Sequence, residues 1–97
     1  MFGGATPAGF DCSGFIMFVY AQFGVSLQHS VHMQNQEGVQ ISKADAQPGD
    51  VIVFNDLSHD GFYLGNGMIL HAPYPGARVR IQQLWSSDVH YVRFGTN

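Results

Sequence analysis

Phe10-Asp11-Cys12-Ser13-Gly14-Phe15-Ile16-Met17-Phe18-Val19-Tyr20-Ala21-Gln22-Phe23-Gly24 decides how this chain is read. The stretch passes from a glycine-rich lead-in to an apolar run at the single cysteine of the sequence. Asp11 or Ser13 is suited to cap a helix there, because a short oxygen-bearing side chain accepts from the unpaired N–H groups of a first turn. The run can also form a short buried strand, but its length and the terminal Gly24 favour a buried helix. Cys12 then stands at a helix N-terminus, where free N–H groups and the positive end of the dipole favour the thiolate. The competing reading of a lone cysteine is a small buried hydrophobe.

Outward from this helix, composition bounds the rest. With 97 residues, 45% of them hydrophobic and 11% charged, the chain makes one globular domain with one core. Four Lys and Arg against seven Asp and Glu are too few cations for a phosphate-binding surface, so no nucleic-acid partner is expected. One cysteine forms no internal disulfide and leaves the redox compartment open. No apolar run has the length of a membrane span, and Met1-Phe2-Gly3-Gly4 has no leader pattern. A mature or excised domain is expected, as a monomer and without a cofactor.

Met1 to Phe10 reads as an irregular loop carrying the backbone to Cys12. Val25 to Gln47 is polar and glutamine-rich, and reads as loop or short helix. His29 and His32 would align on one helical face, but no third ligand follows at metal-site spacing, so no metal is assigned. Gln47-Pro48-Gly49-Asp50 reads as a turn feeding a buried strand, Val51-Ile52-Val53-Phe54. Phe62-Tyr63-Leu64 and Met68-Ile69-Leu70 flank Gly65-Asn66-Gly67, a hairpin signal. A two-residue turn would put His59 and His71 on opposite faces. A three-residue turn with a bulge at Gly67 sets Leu64 against Met68 and His71 against Gly61, so that both histidines share a face as diagonal neighbours. Arg78 to Gln82 and Val89 to Phe94 alternate as further strands, with Leu84 and Trp85 covering an edge of the core. One buried helix on an antiparallel sheet of about five strands is an α+β domain.

A thiol at a helix start, a histidine from a nearby strand and a second polar group steering that histidine form the minimal arrangement for acyl transfer. Cys12 would attack a carbonyl, His59 would take and return the proton, and His71 would hold the His59 ring. The Cys12 N–H is a candidate oxyanion donor. His90 receives no role. Spacing alone reaches a thiol hydrolase candidate and no further.

Phe10-Asp11-Cys12-Ser13-Gly14-Phe15, the turn Gln47-Pro48-Gly49-Asp50-Val51, and His59 through His71 with its Gly-Phe-Tyr-Leu-Gly-Asn-Gly core closely resemble the NlpC/P60 family of cell-wall peptidases, in that family's order and over nearly the whole chain. The resemblance implies a papain-like fold over residues 1–97, lacking the extreme N-terminal part of the family domain. It implies hydrolysis of bacterial peptidoglycan stem peptides, typically between D-γ-glutamate and a diamino acid, by a secreted or wall-associated enzyme. By motif position Cys12 is the nucleophile, His59 the base and His71 the third polar residue, and Asp11 and Ser13 border the amino-terminal side of the substrate. Asp60 departs from the family, which usually has an aliphatic residue after the catalytic histidine. Adjacent strand residues point apart, so its carboxylate is expected at a strand end away from the His59 ring. The alternative function is a module that binds wall peptide or a partner without turnover.

Overall fold

The structure is a computed structural model that describes residues 5–6, 9–74, 76 and 78–94. Two short strands, β1 (Ala5–Thr6) and β2 (Gly9–Phe10), pair antiparallel ahead of helix α1 (Cys12–Ala21). Part of the lead-in read as loop is thus paired strand, and the remainder of that expectation lies outside the described residues. Asp11 is the α1 cap, in extended backbone, with its Oδ1 accepting from the Gly14 N–H at 2.7 Å. Gly24 reverses the chain after the helix at φ +78°, a conformation that suits glycine.

The polar stretch after Gly24 holds more structure than its composition suggests: α2 (Val31–Glu37), β3 (Val39–Ile41) and a single 3₁₀ turn at Lys43–Asp45. Ser30 caps α2 through the Met33 N–H. Five more strands were expected and found, β4 (Val51–Phe54), β5 (Asp60–Tyr63), β6 (Met68–His71), β7 (Arg80–Gln83) and β8 (Val89–Arg93). The antiparallel sheet runs β3-β8-β4-β5-β6-β7. Its sixth strand, β3, was missed because three residues, Val-Gln-Ile, carry too little alternation to stand out from a glutamine-rich background.

The place of β4 at the sheet centre agrees with its burial. β4 is buried at every position, so it sits between β8 and β5 with a covered face on either side. On one face Phe15, Ile16 and Tyr20 of α1 pack on Val51, Val53, Phe62, Val92 and Phe94. Phe62 meets Phe15 edge-on at 5.5 Å and stacks on Tyr20 at 5.9 Å. Ile52, Phe54, Ile69 and Tyr91 form the core of the other face. Arg93 grips Asp50 with two hydrogen bonds of 2.8 Å, tying β8 to the turn before β4.

The β5–β6 hairpin has the three-residue turn. Tyr63 pairs with Ile69, and Leu64 donates to the Met68 carbonyl at 3.1 Å. Continuing the register sets Gly61 opposite His71. A Cβ on Gly61 would lie 2.7 Å from Ile69 Cδ1 and 2.8 Å from His71 Cβ, so only glycine lets β6 approach this closely.

Candidate active site

Four elements converge on a cleft of about 480 Å³: the α1 start with Asp11, Cys12 and Ser13, the α2 start with Ser30 and His32, the β4–β5 turn with Leu57 and His59, and the segment after β6 with Tyr74. Cys12 is the first residue of α1 and half-buried. The backbone N–H groups of Asp60 and Ser13 point hydrogen bonds at its sulfur. These favour the thiolate, yet burial outweighs them, and with the neighbouring Asp60 and Asp11 charges it pushes the thiol up to about 11. The depressed thiol inferred from the helix terminus is therefore corrected: desolvation exceeds the effect of the two backbone N–H groups.

His59 enters β5 from a tight turn in which Leu57 adopts φ +61° and donates to the Phe54 carbonyl at 2.8 Å. The strained backbone persists because the Leu57 side chain packs on the core. His59 Nε2 lies 2.6 Å from His71 Nδ1, and His71 Nε2 lies 2.7 Å from Gln82 Oε1. His71 is almost wholly buried, whereas Trp85 is half-exposed and lies 5.1 Å from its ring and 6.0 Å from His59. Burial, reinforced by His71, pushes His59 down to about 4. Burial also lowers His71, against the opposing effect of the Gln82 hydrogen bond. Both imidazoles are neutral at neutral pH.

Asp60 is not at an exposed strand end. It points away from His59, as alternation requires, but that direction carries it onto the α1 side of the sheet with Val51, Val53 and Phe62. It is fully buried, and neither carboxyl oxygen has a hydrogen-bond partner. Burial, with the Asp11 charge, raises its pKa to about 8, so it is a neutral acid at pH 7.

Asp11 and Ser13 are buried at the cleft wall. The Asp11 Oδ1 that caps α1 also meets His29 Nε2 at 2.8 Å. His29 precedes α2 and His32 lies within it, bonded to Gln36, so the two are not aligned on one helical face. Among the described residues no three His, Cys, Asp or Glu side chains cluster as metal ligands. Gln34 went unnoticed in the sequence. Fully buried on α2, its amide donates to the carbonyls of Ser13 at 2.9 Å and Gln28 at 2.8 Å, locking α2 to the start of α1. Gln82 also escaped, since an alternating strand gave no sign of what it faces, and Trp85, expected only to cover an edge of the core, lies against both histidine rings.

The sequence profile of the NlpC/P60 family matches residues 1–94. The chain belongs to the NlpC/P60 family. It is 42% identical over 90 residues to the probable endopeptidase Rv2190c of Mycobacterium tuberculosis, covering 92% of this chain and 23% of that protein. It is 37% identical over 88 residues to the peptidoglycan endopeptidase RipA of Mycolicibacterium smegmatis, covering 89% of this chain and 18% of RipA. The chain thus spans about a quarter or less of these relatives. The solved structure of RipD from Mycobacterium tuberculosis, described as a non-catalytic NlpC/p60 domain protein adapted to peptidoglycan binding, superposes with a TM-score of 0.74 at 27% identity, over 87% of this chain and 66% of RipD. The α+β, papain-like NlpC/P60 fold is that of this domain.

Proposed function

We propose that this domain is a cysteine peptidase acting on peptidoglycan stem peptides, with Cys12 as nucleophile, His59 as general base and acid, and His71 as the residue that orients His59. The observation that carries the reading is the sharing of one cleft by Cys12 and His59, with His59 Nε2 already engaged by His71. That bond leaves Nδ1 as the ring atom free to serve the thiol. The likeness to relatives named as endopeptidases supports a peptidase, and the name of RipA supports peptidoglycan as substrate. Cleavage between D-γ-glutamate and a diamino acid, with Asp11 and Ser13 against the amino-terminal side of the peptide, and action in the cell wall after secretion complete the proposal.

With the thiol raised and the imidazole lowered, the resting pair is neutral. The sulfur attacks the carbonyl carbon as its proton passes to His59. The oxyanion meets the Cys12 N–H, which has no acceptor within the first helical turn. Collapse breaks the C–N bond, and His59 returns the proton to the leaving amine. A water then attacks the Cys12 thioester, losing its proton to His59 and releasing the acid and the thiol.

A second reading is a peptidoglycan-binding module without turnover. Asp60 favours it, because its carboxylate, once ionised above about pH 8, opposes thiolate formation at the neighbouring Cys12, and RipD is a relative described as non-catalytic. Incubation of the protein and its Cys12→Ala variant with purified stem peptides, followed by mass spectrometry, separates the two. Cleavage by the parent alone supports the peptidase and names the bond. Binding without cleavage by either protein supports the module.

A further inference from the structure

We propose that Gln82 is a positioning residue that fixes the tautomers of both His71 and His59, and thereby decides whether His59 can act as a base. The inference rests on the peptidase reading and extends it to a residue outside the three-member set.

The argument is a count of protons along one line of hydrogen bonds. A carboxylate or amide oxygen next to a catalytic histidine dictates its tautomer, because such an oxygen only accepts. An imidazole does not, because it carries one N–H and one lone pair and can present either. With histidine in the third place, the choice passes to whatever lies beyond it. Here that is Gln82, whose Oε1 stands 2.7 Å from His71 Nε2. The oxygen accepts, so Nε2 carries the His71 proton and Nδ1 is bare. His71 Nδ1, 2.6 Å from His59 Nε2, then accepts from it. The His59 proton is thereby committed to Nε2, and its Nδ1 lone pair is open to the thiol.

Reversing the Gln82 amide reverses every step. Its NH₂ would donate to His71 Nε2, His71 Nδ1–H would donate to His59 Nε2, and His59 would meet the thiol with an N–H already in place. That His59 cannot accept a proton. The backbone puts Gln82 where it can exercise this control: it pairs with Ile69, two residues before His71 on β6, and so shares the His71 face as a diagonal neighbour. Arg80 pairs directly with His71, and its charge resists protonation of that ring. Trp85 lies against both rings.

The test reads the tautomers directly, from long-range ¹H–¹⁵N correlations of the imidazoles in the ¹⁵N-labelled protein at pH 8. The expected pattern is protonation at Nε2 in both His59 and His71. An Nδ1–H tautomer at His71 overturns the proposal without any variant being needed. Gln82→Leu should mix the His71 tautomers and lower kcat on stem peptide about tenfold, the size of one orienting hydrogen bond, with KM kept. Gln82→Glu still accepts and should keep both the tautomers and kcat at pH 8. Its added charge favours a second proton on His71, so its activity should fall toward pH 6 while the parent's holds. Unchanged tautomers in Gln82→Leu, or equal loss in the Leu and Glu variants at pH 8, refutes the claim. If the parent cleaves no stem peptide, the peptidase reading fails, while the tautomer pattern still decides the role of Gln82.

Discussion

His59 Nε2 and His71 Nδ1 stand 2.6 Å apart across the β5–β6 hairpin, on neighbouring strands whose register is set by a three-residue turn. The contact exists because residues two apart along extended chain share a face and because Gly61, opposite His71, has no side chain to hold β6 away. On the proposed mechanism it holds the His59 base in place. His71→Leu should therefore lower kcat by roughly 10–100-fold with little change in KM, since the interaction serves the transition state rather than substrate capture. Steady-state kinetics on a stem peptide checks this, with equal loss in kcat and affinity counting against it.

Gly61→Ala tests the same geometry from the backbone. The new methyl would meet Ile69 and His71 at under 3 Å. Overpacking of this kind costs roughly 1–3 kcal/mol, and the strain falls on the histidine pair. Loss of thermal stability together with loss of activity is expected, while a variant that melts and cleaves like the parent would show that β6 can yield.

Asp60 carries a pH signature. Its folded-state pKa of about 8 exceeds the ordinary 3.8, so between these values the folded protein holds a proton that the unfolded chain has released. Stability from this group therefore falls as pH rises from about 4 to about 8 and is level outside that window. Asp60→Val should remove that slope and stabilise the fold, by roughly 1–3 kcal/mol for deleting an unsatisfied buried polar group. It should also lower the Cys12 pKa, through loss of the repelling charge, and extend activity above pH 8. Denaturant melts at several pH values and thiol titration measure both effects.

Asp50 behaves in the opposite sense. The Arg93 hydrogen bonds hold its carboxyl below the usual range, against a smaller effect of burial. The stability it supplies is complete above the ordinary carboxylate pKa and lost as pH falls through the depressed one. Asp50→Asn should thus lower Tm at pH 7, with the difference shrinking in strong acid. A pH-independent difference would assign the loss to packing instead.

How much of this was visible in the residues depends on where the signal lay. The helix at Cys12, the buried strand Val51–Phe54 and the hairpin around Gly65-Asn66-Gly67 were legible because apolar spacing and turn chemistry act locally, whereas the face shared by the two histidines was not. The choice between a two-residue and a three-residue turn needed the structure, and the three-residue form is the one present. Strand β3 and helix α2 were hidden in polar sequence, since tertiary anchors such as Gln34 supply what periodicity does not. The electrostatics were least legible. A helix terminus alone argues for a thiolate at Cys12, but the desolvation that reverses it comes from neighbours distant in the chain. Asp60 shows the same limit: alternation gave the direction of its side chain correctly, without revealing that this direction leads into the core.

The central claim is that Cys12 is the nucleophile, and the chain contains no other cysteine. Stem-peptide hydrolysis should be followed while Cys12 is alkylated in steps with iodoacetamide, with the modified fraction read by intact mass. Activity falling in proportion to the unmodified fraction, and reaching zero with one adduct per chain, is the result predicted. Full hydrolysis by fully alkylated protein, or none by the unmodified protein, would contradict the account.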